Sequence, residues 1–252
     1  HFLGGTLAAG AAASSFGVLR SRAAEPPLAA PQPAQFQRKI KLGVVGCGGR
    51  GSWIAKLFQK HGGYEFHAVA DYFQAVADTC GDTLGVDKAR RFSGLSGCQR
   101  LMESGVEAVA LETPPGFFPE HTRAAVERKL HVYMAKPGAV DVPGCLAVGA
   151  AAQKATADRR VFFVDYQLPT DPHNLEVVKL IRAGEIGKVV ALNSHYFAGS
   201  FGDPPLTATI ESRLRSLIWC NDVTIGGGYH VNACIHAVDA ALWIAEQRPV
   251  AA

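Results

Sequence analysis

Ile40-Lys41-Leu42-Gly43-Val44-Val45 runs directly into Gly46-Cys47-Gly48-Gly49-Arg50-Gly51, and an amphipathic stretch follows over residues 51–60. The first half is a short apolar run of strand character. The second satisfies the G-x-G-x-x-G spacing at the point where a strand hands over to a helix. In such a unit Gly46 permits the tight turn, Gly48 lets a diphosphate approach bare backbone, and Gly51 lets the helix pack closely on the strand. The N–H groups around Gly49 and Arg50 then face an anion at the favourable end of the helix dipole.

A second signal supports the first. The apolar run 66–70 ends at Asp71, twenty residues after Gly51, where a carboxylate accepts hydrogen bonds from the adenosine ribose hydroxyls. Its charge repels a 2′-phosphate, and the next residue is Tyr72 rather than Arg, so NAD is expected over NADP. The local alternative for Asp71 is a cap on a helix over 73–84.

Working outward, apolar runs at 40–45, 66–70, 106–111, 131–134 and 161–164 alternate with helix-like stretches at 51–60, 73–84, 98–104, 118–129 and 143–156. Five strands with intervening helices predict an α/β, doubly wound parallel sheet of Rossmann type over residues 38–166. Beyond it lie a polar turn at 169–172, a helix at 174–183, a strand-like run at 189–196 and a Gly/Pro-rich excursion at 199–205. Residues 167–252 therefore read as the start of a second, sheet-containing domain, expected to be incomplete here.

Bulk properties exclude other classes. The chain has 252 residues, 48% of them hydrophobic, enough for a sizeable core,. Its net charge of +3 comes from scattered Lys and Arg without runs, so no basic footprint for nucleic acid is expected. Cys47, Cys80, Cys98, Cys145, Cys220 and Cys234 form no C-x-x-C pair, which argues against a zinc ribbon or a disulfide framework. No metal is expected: His230, Cys234 and His236 do not share one helical face.

Residues 1–37 differ in composition. The stretch 1–19 is rich in Gly, Ala, Ser and Leu without charged residues, Arg20 and Arg22 follow within a small-residue zone, and a Pro/Ala/Gln linker leads to residue 37. That is the build of an export signal. His1-Phe2-Leu3 resembles the tail of a twin-arginine signal, so the chain is expected to be truncated at its start and the protein to be periplasmic. The alternatives are a weakly apolar, uncleaved N-terminal anchor and an untranslocated, disordered arm on a cytoplasmic protein. Gly and Ala make the stretch too weakly apolar for a stable membrane span.

Further motifs follow in order: Glu112-Thr113-Pro114-Pro115 with His121; Met134-Ala135-Lys136-Pro137; Gly184-Glu185-Ile186-Gly187-Lys188; and Gly226-Gly227-Gly228 with His236 and Asp239. With the glycine turn and Asp71, residues 39–245 resemble the Gfo/Idh/MocA oxidoreductases, named for glucose-fructose oxidoreductase and inositol dehydrogenase. The resemblance implies that Thr113, Pro114 and His121 line the cofactor and that Lys136 lies beside the nicotinamide and the reacting oxygen. It also implies a C-terminal α+β domain whose open, mainly antiparallel sheet supports a homo-oligomer. The family's Glu-Lys-Pro reads Ala135-Lys136-Pro137 here, and its Gly-Gly-Gly, three residues, Asp, three residues, His places Asn232 where the Asp stands and His236 at the His.

On a regular helix Asn232, His236 and Asp239 share one face beside an apolar stripe of Val231, Ile235, Val238 and Leu242,. Lys136 is then suited to polarise a carbonyl or hold an alkoxide, and His236 to take the proton that alcohol oxidation releases. Asn232 can orient a hydroxyl but cannot raise the imidazole pKa as a carboxylate would. The alternatives are a strand-end lysine in solvent and a histidine satisfied at the domain interface. His195, Tyr196 and Trp219 are candidates for the substrate cleft. The resemblance implies an NAD(P)-dependent oxidoreductase exchanging hydride with a sugar, polyol or related alcohol or ketone. A redox-assisted glycosidase of the same family is one alternative. A nucleotide- and sugar-binding protein impaired at Ala135 and Asn232 is another.

Overall fold

The computed structural model describes residues 36–199, 202, 209–211 and 217–250. The export-signal reading of residues 1–37 lies almost wholly outside them.

Alternation of apolar residues about the first strand sets the layers. Strand β1 (Ile40–Val45) turns Leu42 and Val44 to one face and Val45 to the other. Around it β2 (Tyr64–Asp71), β3 (Arg91–Ser93), β4 (Ala108–Leu111), β5 (His131–Ala135) and β6 (Phe162–Asp165) form a six-stranded sheet in the order β3-β2-β1-β4-β5-β6. Every pairing is parallel. Helices α1 (Gly49–His61) and α2 (Gln74–Leu84) cover one face, where Ala55 and Cys80 pack with Val44 and Val69. Helices α3 (Gly97–Met102), α4 (Phe118–Glu127) and α5 (Val142–Ala157) cover the other, and their side chains close the main core around Val109, Leu111, Val132 and Met134. Strand order reverses between β1 and β4, and ligands of open parallel sheets bind outside the strand ends at such a point.

Three details depart from the sequence expectation. A sixth strand, β3, is three residues long and begins at Arg91, so it carries no apolar run. It is held by pairing with β2 and by the Arg91 guanidinium on Val86 O, at 2.7 Å, and on Asp82, also at 2.7 Å. The strand expected at 189–196 is not formed. Those residues are exposed and unpaired, and among the described residues no strand follows β6. A strand exists only through a partner's N–H and C=O groups, and among the described residues none pairs with this run. Finally, α6 (Pro172–Arg182), capped by Asp171, is followed by a π-helical turn at His230–Cys234 and α7 (Ile235–Ala245). The regular helical spacing assumed for residues 232–239 is therefore broken at its first member.

Phe118 is fully buried (0% exposed) at the centre of the main core. Phe118→Ala should lower the unfolding free energy by about 3–5 kcal/mol, read from the urea midpoint. Leu95→Ala, at a 74% exposed site, should change it by less than about 0.5 kcal/mol.

Candidate active site

The turn after β1 is shaped by how closely two backbones pass. Gly46 has φ 89° and donates its N–H to Ala70 O at 2.8 Å. A Cβ on Gly51 would lie 1.8 Å from Gly46 O, so only glycine lets α1 start here. Helix α1 begins at Gly49 rather than Gly51, which puts Gly48 at the cap and Gly49 and Arg50 in the first turn. The first intrahelical donor is Ser52 N–H, to Gly48 O at 2.9 Å, so the N–H groups before it have no helical acceptor. Nothing lies within 4 Å of where a Cβ on Gly48 or Gly49 would be. No side chain caps this end and none in the first turn is acidic. Bare, outward donors with open space above them fit a diphosphate.

Asp71 is joined to that turn. Its Oδ2 accepts from Cys47 N–H at 2.8 Å and its Oδ1 from Phe73 N–H at 3.0 Å. The second bond anchors Phe73, the residue that precedes α2, but no side chain caps the helix itself, so the expected helix cap at Asp71 is not formed. Next to it Tyr72 donates to Glu211 Oε1 at 2.6 Å, bringing a second carboxylate to the end of β2. That hydrogen bond, with the Glu211 charge, raises the Tyr72 pKa. Arg50 stays with its own chain: its guanidinium donates to Asp165 at 2.6 Å, stands 3.8 Å from Glu112 and lies 4.5 Å over the Trp53 ring.

On the loop after β4, Thr113 Oγ1 is 3.2 Å from His121 Nδ1. His121 stacks on Phe117 at 5.7 Å, and burial holds its pKa down to about 4, so the imidazole is neutral. Pro114 leads into a 3-10 turn, Pro115–Phe117. There Gly116 N–H donates to Ile225 O at 2.8 Å, and a Cβ on Gly116 would lie 2.7 Å from Thr224 O. The loop is thus seated on the segment that leads into Gly226-Gly227-Gly228.

Lys136, one residue past β5, reaches the same segment. Its Nζ donates to the Asn232 backbone carbonyl and is 3.5 Å from Asn232 Oδ1. Burial lowers its pKa and the Arg50 charge adds to this, while Cys220 and Asp165 oppose it. His236 is buried with no partner for Nδ1, and the Tyr196 ring stands 5.2 Å away. Burial, then the charges of Lys136 and Arg50, lower its pKa. Burial raises that of Asp239, whose Oδ2 is unpartnered. His230 is exposed. Lys136, Asn232 and His236 are therefore brought together, but Asn232 meets the lysine chiefly through its backbone, because the π-helical turn displaces it from the regular face. Among the described residues no three His, Cys, Asp or Glu gather as a metal site, and no helix is long and apolar enough to cross a membrane.

Three residues escaped the sequence reading. Glu112 and Asp165 stand beside Arg50, and Cys220 is close enough to Lys136 to affect its proton affinity, its own thiol pushed up by burial to about 11. The acids had a signal: β2, β4 and β6 each end at or just before one, Asp71, Glu112 and Asp165. Cys220 had none.

Comparison with known proteins identifies the family of the chain. Residues 40–164 match the family described as the oxidoreductase family with NAD-binding Rossmann fold, and residues 174–252 match the GFO/IDH/MocA C-terminal domain. An inositol 2-dehydrogenase from Klebsiella pneumoniae (strain 342) is 28% identical over 195 residues, 71% of this chain and 54% of its own length. Among solved structures, the aldose-aldose oxidoreductase of Caulobacter crescentus, complexed with glycerol, superposes with a TM-score of 0.68 at 22% identity, over 84% of this chain and 59% of that one. An inositol dehydrogenase homologue from Azotobacter vinelandii, complexed with NAD+, gives 0.67 at 22% identity, over 83% and 54%. The chain spans about half the length of the curated relatives it matches. With both of the family's domains represented in order, the chain belongs to the Gfo/Idh/MocA oxidoreductase family.

Proposed function

We propose that this chain carries the cofactor half and part of the substrate half of an NAD-dependent oxidoreductase acting on a sugar or polyol alcohol or the corresponding ketone. The observation that carries the reading is the Cys47 N–H to Asp71 hydrogen bond of 2.8 Å. It joins open diphosphate donors to a ribose acceptor at the mouth of the sheet where Lys136 meets residues 232–236. NAD held there supplies the hydride acceptor or donor. Gly48, Gly49 and the start of α1 hold its diphosphate, Asp71 its adenosine ribose, and Thr113 and Pro114 line the loop above β4.

The chain's own residues handle the proton. His236 is kept neutral by burial and by the nearby Lys136 charge, which is the state a general base requires. The Lys136 ammonium stabilises negative charge developing on the substrate oxygen. A second reading, binding without turnover, draws on the Lys136 hydrogen bond to the Asn232 carbonyl, since no carboxylate orients the lysine at either departure from the family pattern.

The composition of residues 1–37 supports export by the twin-arginine route. Exposed Leu175, Val177, Val190 and Phe197 support self-association through the second domain. The native protein should then be recovered from the periplasm with a new N-terminus near residues 21–24, read by mass spectrometry, and light scattering should give a multiple of the chain mass. Recovery from the cytoplasm with its leader intact refutes the export reading.

Asp71→Asn should weaken NAD about tenfold and narrow its advantage over NADP, by isothermal titration calorimetry. Unchanged values would remove Asp71 from the nucleotide site. Lys136→Ala and His236→Asn should each reduce kcat about 100-fold or more, followed through reduced-nicotinamide absorbance on a panel of inositols and aldoses. For alcohol oxidation the rate should rise through a pKa below 6.5, as His236 loses its proton, and fall through one below 10.5, as Lys136 does. If NAD binds but no substrate changes its redox state, and Lys136→Ala alters nothing, the binding-only reading holds.

A further inference from the structure

Glu112 has no role in the chemistry above, yet it occupies an unusual place. It follows β4 directly, its N–H donates to Val45 O at 2.8 Å, and its backbone carbonyl passes 2.6 Å from where a Cβ on Gly46 would stand. Its own Cβ is 3.3 Å from the Cβ position of Gly51. The side chain therefore starts against the contact of Gly46 with Gly51, the two residues that flank the open donors of Gly48 and Gly49 in the turn. It is 0% exposed, and neither carboxyl oxygen has a hydrogen-bond partner. Its nearest cation, Arg50, is 3.8 Å away and spends its hydrogen bond on Asp165.

An anion behind a helix start and an anion in front of it draw on the same positive end of the dipole and repel each other across a dry gap. We propose that Glu112 determines how tightly the turn holds a dinucleotide: the neutral carboxyl permits the diphosphate, the ionised one opposes it, and binding takes up a proton at Glu112. The inference rests on the reading of residues 46–51 as a diphosphate site.

The surroundings set the range. Facing Glu112 are Arg50 from α1, Tyr133 from β5 and Asp165 from β6, while β1 offers no ionisable group there. Burial raises the Glu112 pKa to about 8, the Arg50 charge opposing and Asp165 adding to the rise. A diphosphate in front of α1 raises it further. Affinity is then greatest below pH 8 and falls as the pH passes through about 8 and above.

Calorimetry of NAD+ binding at pH 7, 8 and 9, in buffer pairs of differing ionisation enthalpy, gives affinity and proton uptake together. The wild type should bind about fivefold more weakly at pH 9 than at pH 7, with fractional proton uptake that persists in Lys136→Met. Glu112→Gln, and independently Glu112→Leu, should keep the pH 7 affinity at pH 9 and lose the uptake. A flat wild-type profile without uptake overturns the inference even if neither Glu112 variant folds, and so does a pH dependence unchanged in Glu112→Gln. No NAD+ uptake at any pH overturns the diphosphate reading itself and this inference with it.

Discussion

Where Gly51 passes Gly46 there is no room for a side chain, since a Cβ would lie 1.8 Å from the Gly46 carbonyl. This contact sets the pitch of α1 against β1, and the rest of the site depends on that pitch. It points the first donors of α1 into open space at the reversal of strand order, and it brings Cys47 N–H within 2.8 Å of Asp71. A bulkier residue at 51 would tilt the helix away and spread those donors beyond the reach of one ligand.

Electrostatics at the strand ends follow from the same geometry. Asp71, Glu112 and Asp165 end or follow alternate strands in chain order, against the cations Arg50 and Lys136. Asp71 is tied to the turn, accepting from Cys47 N–H at 2.8 Å and from Phe73 N–H at 3.0 Å. Asp165 holds Arg50 at 2.6 Å, so that guanidinium is engaged within the fold. Glu112 is buried without a partner, a placement that costs stability unless the carboxyl stays protonated. Three acids of one type thus differ in role because their burial and neighbours differ.

The end of the sheet around Lys136 is assembled by contact between distant segments. Gly116 bonds to Ile225 at 2.8 Å and Lys136 bonds to the Asn232 carbonyl, so the loop after β4 and the end of β5 both rest on the stretch 224–236. Ala135 and Asn232 leave Lys136 without the carboxylates that the family pattern would supply. A backbone carbonyl, a thiol at Cys220 and the more distant Asp165 surround it instead, and burial lowers its proton affinity. Its readiness to give up a proton is thereby set by desolvation more than by a partner.

Much of the fold was legible locally. The 40–51 stretch, the acid at 71 and the alternation of apolar runs with amphipathic segments are short-range patterns, because parallel strands buried on both faces read as continuous apolar runs. The short strand at Arg91–Ser93 was not legible, since it forms by pairing with β2 and carries no pattern of its own. The run 189–196 misled for the complementary reason: it has strand composition but no ladder partner among the described residues. At the site, the amino-acid sequence by itself determined where the glycines stand and which acids end the strands, because turn sterics and strand-end positions are properties of a few adjacent residues. Tertiary structure alone decided that Arg50 bonds to Asp165, that Asn232 meets Lys136 through its backbone, and that Glu112 lies buried behind the turn. Those outcomes depend on burial and on contacts between segments up to 115 residues apart, which no local pattern encodes.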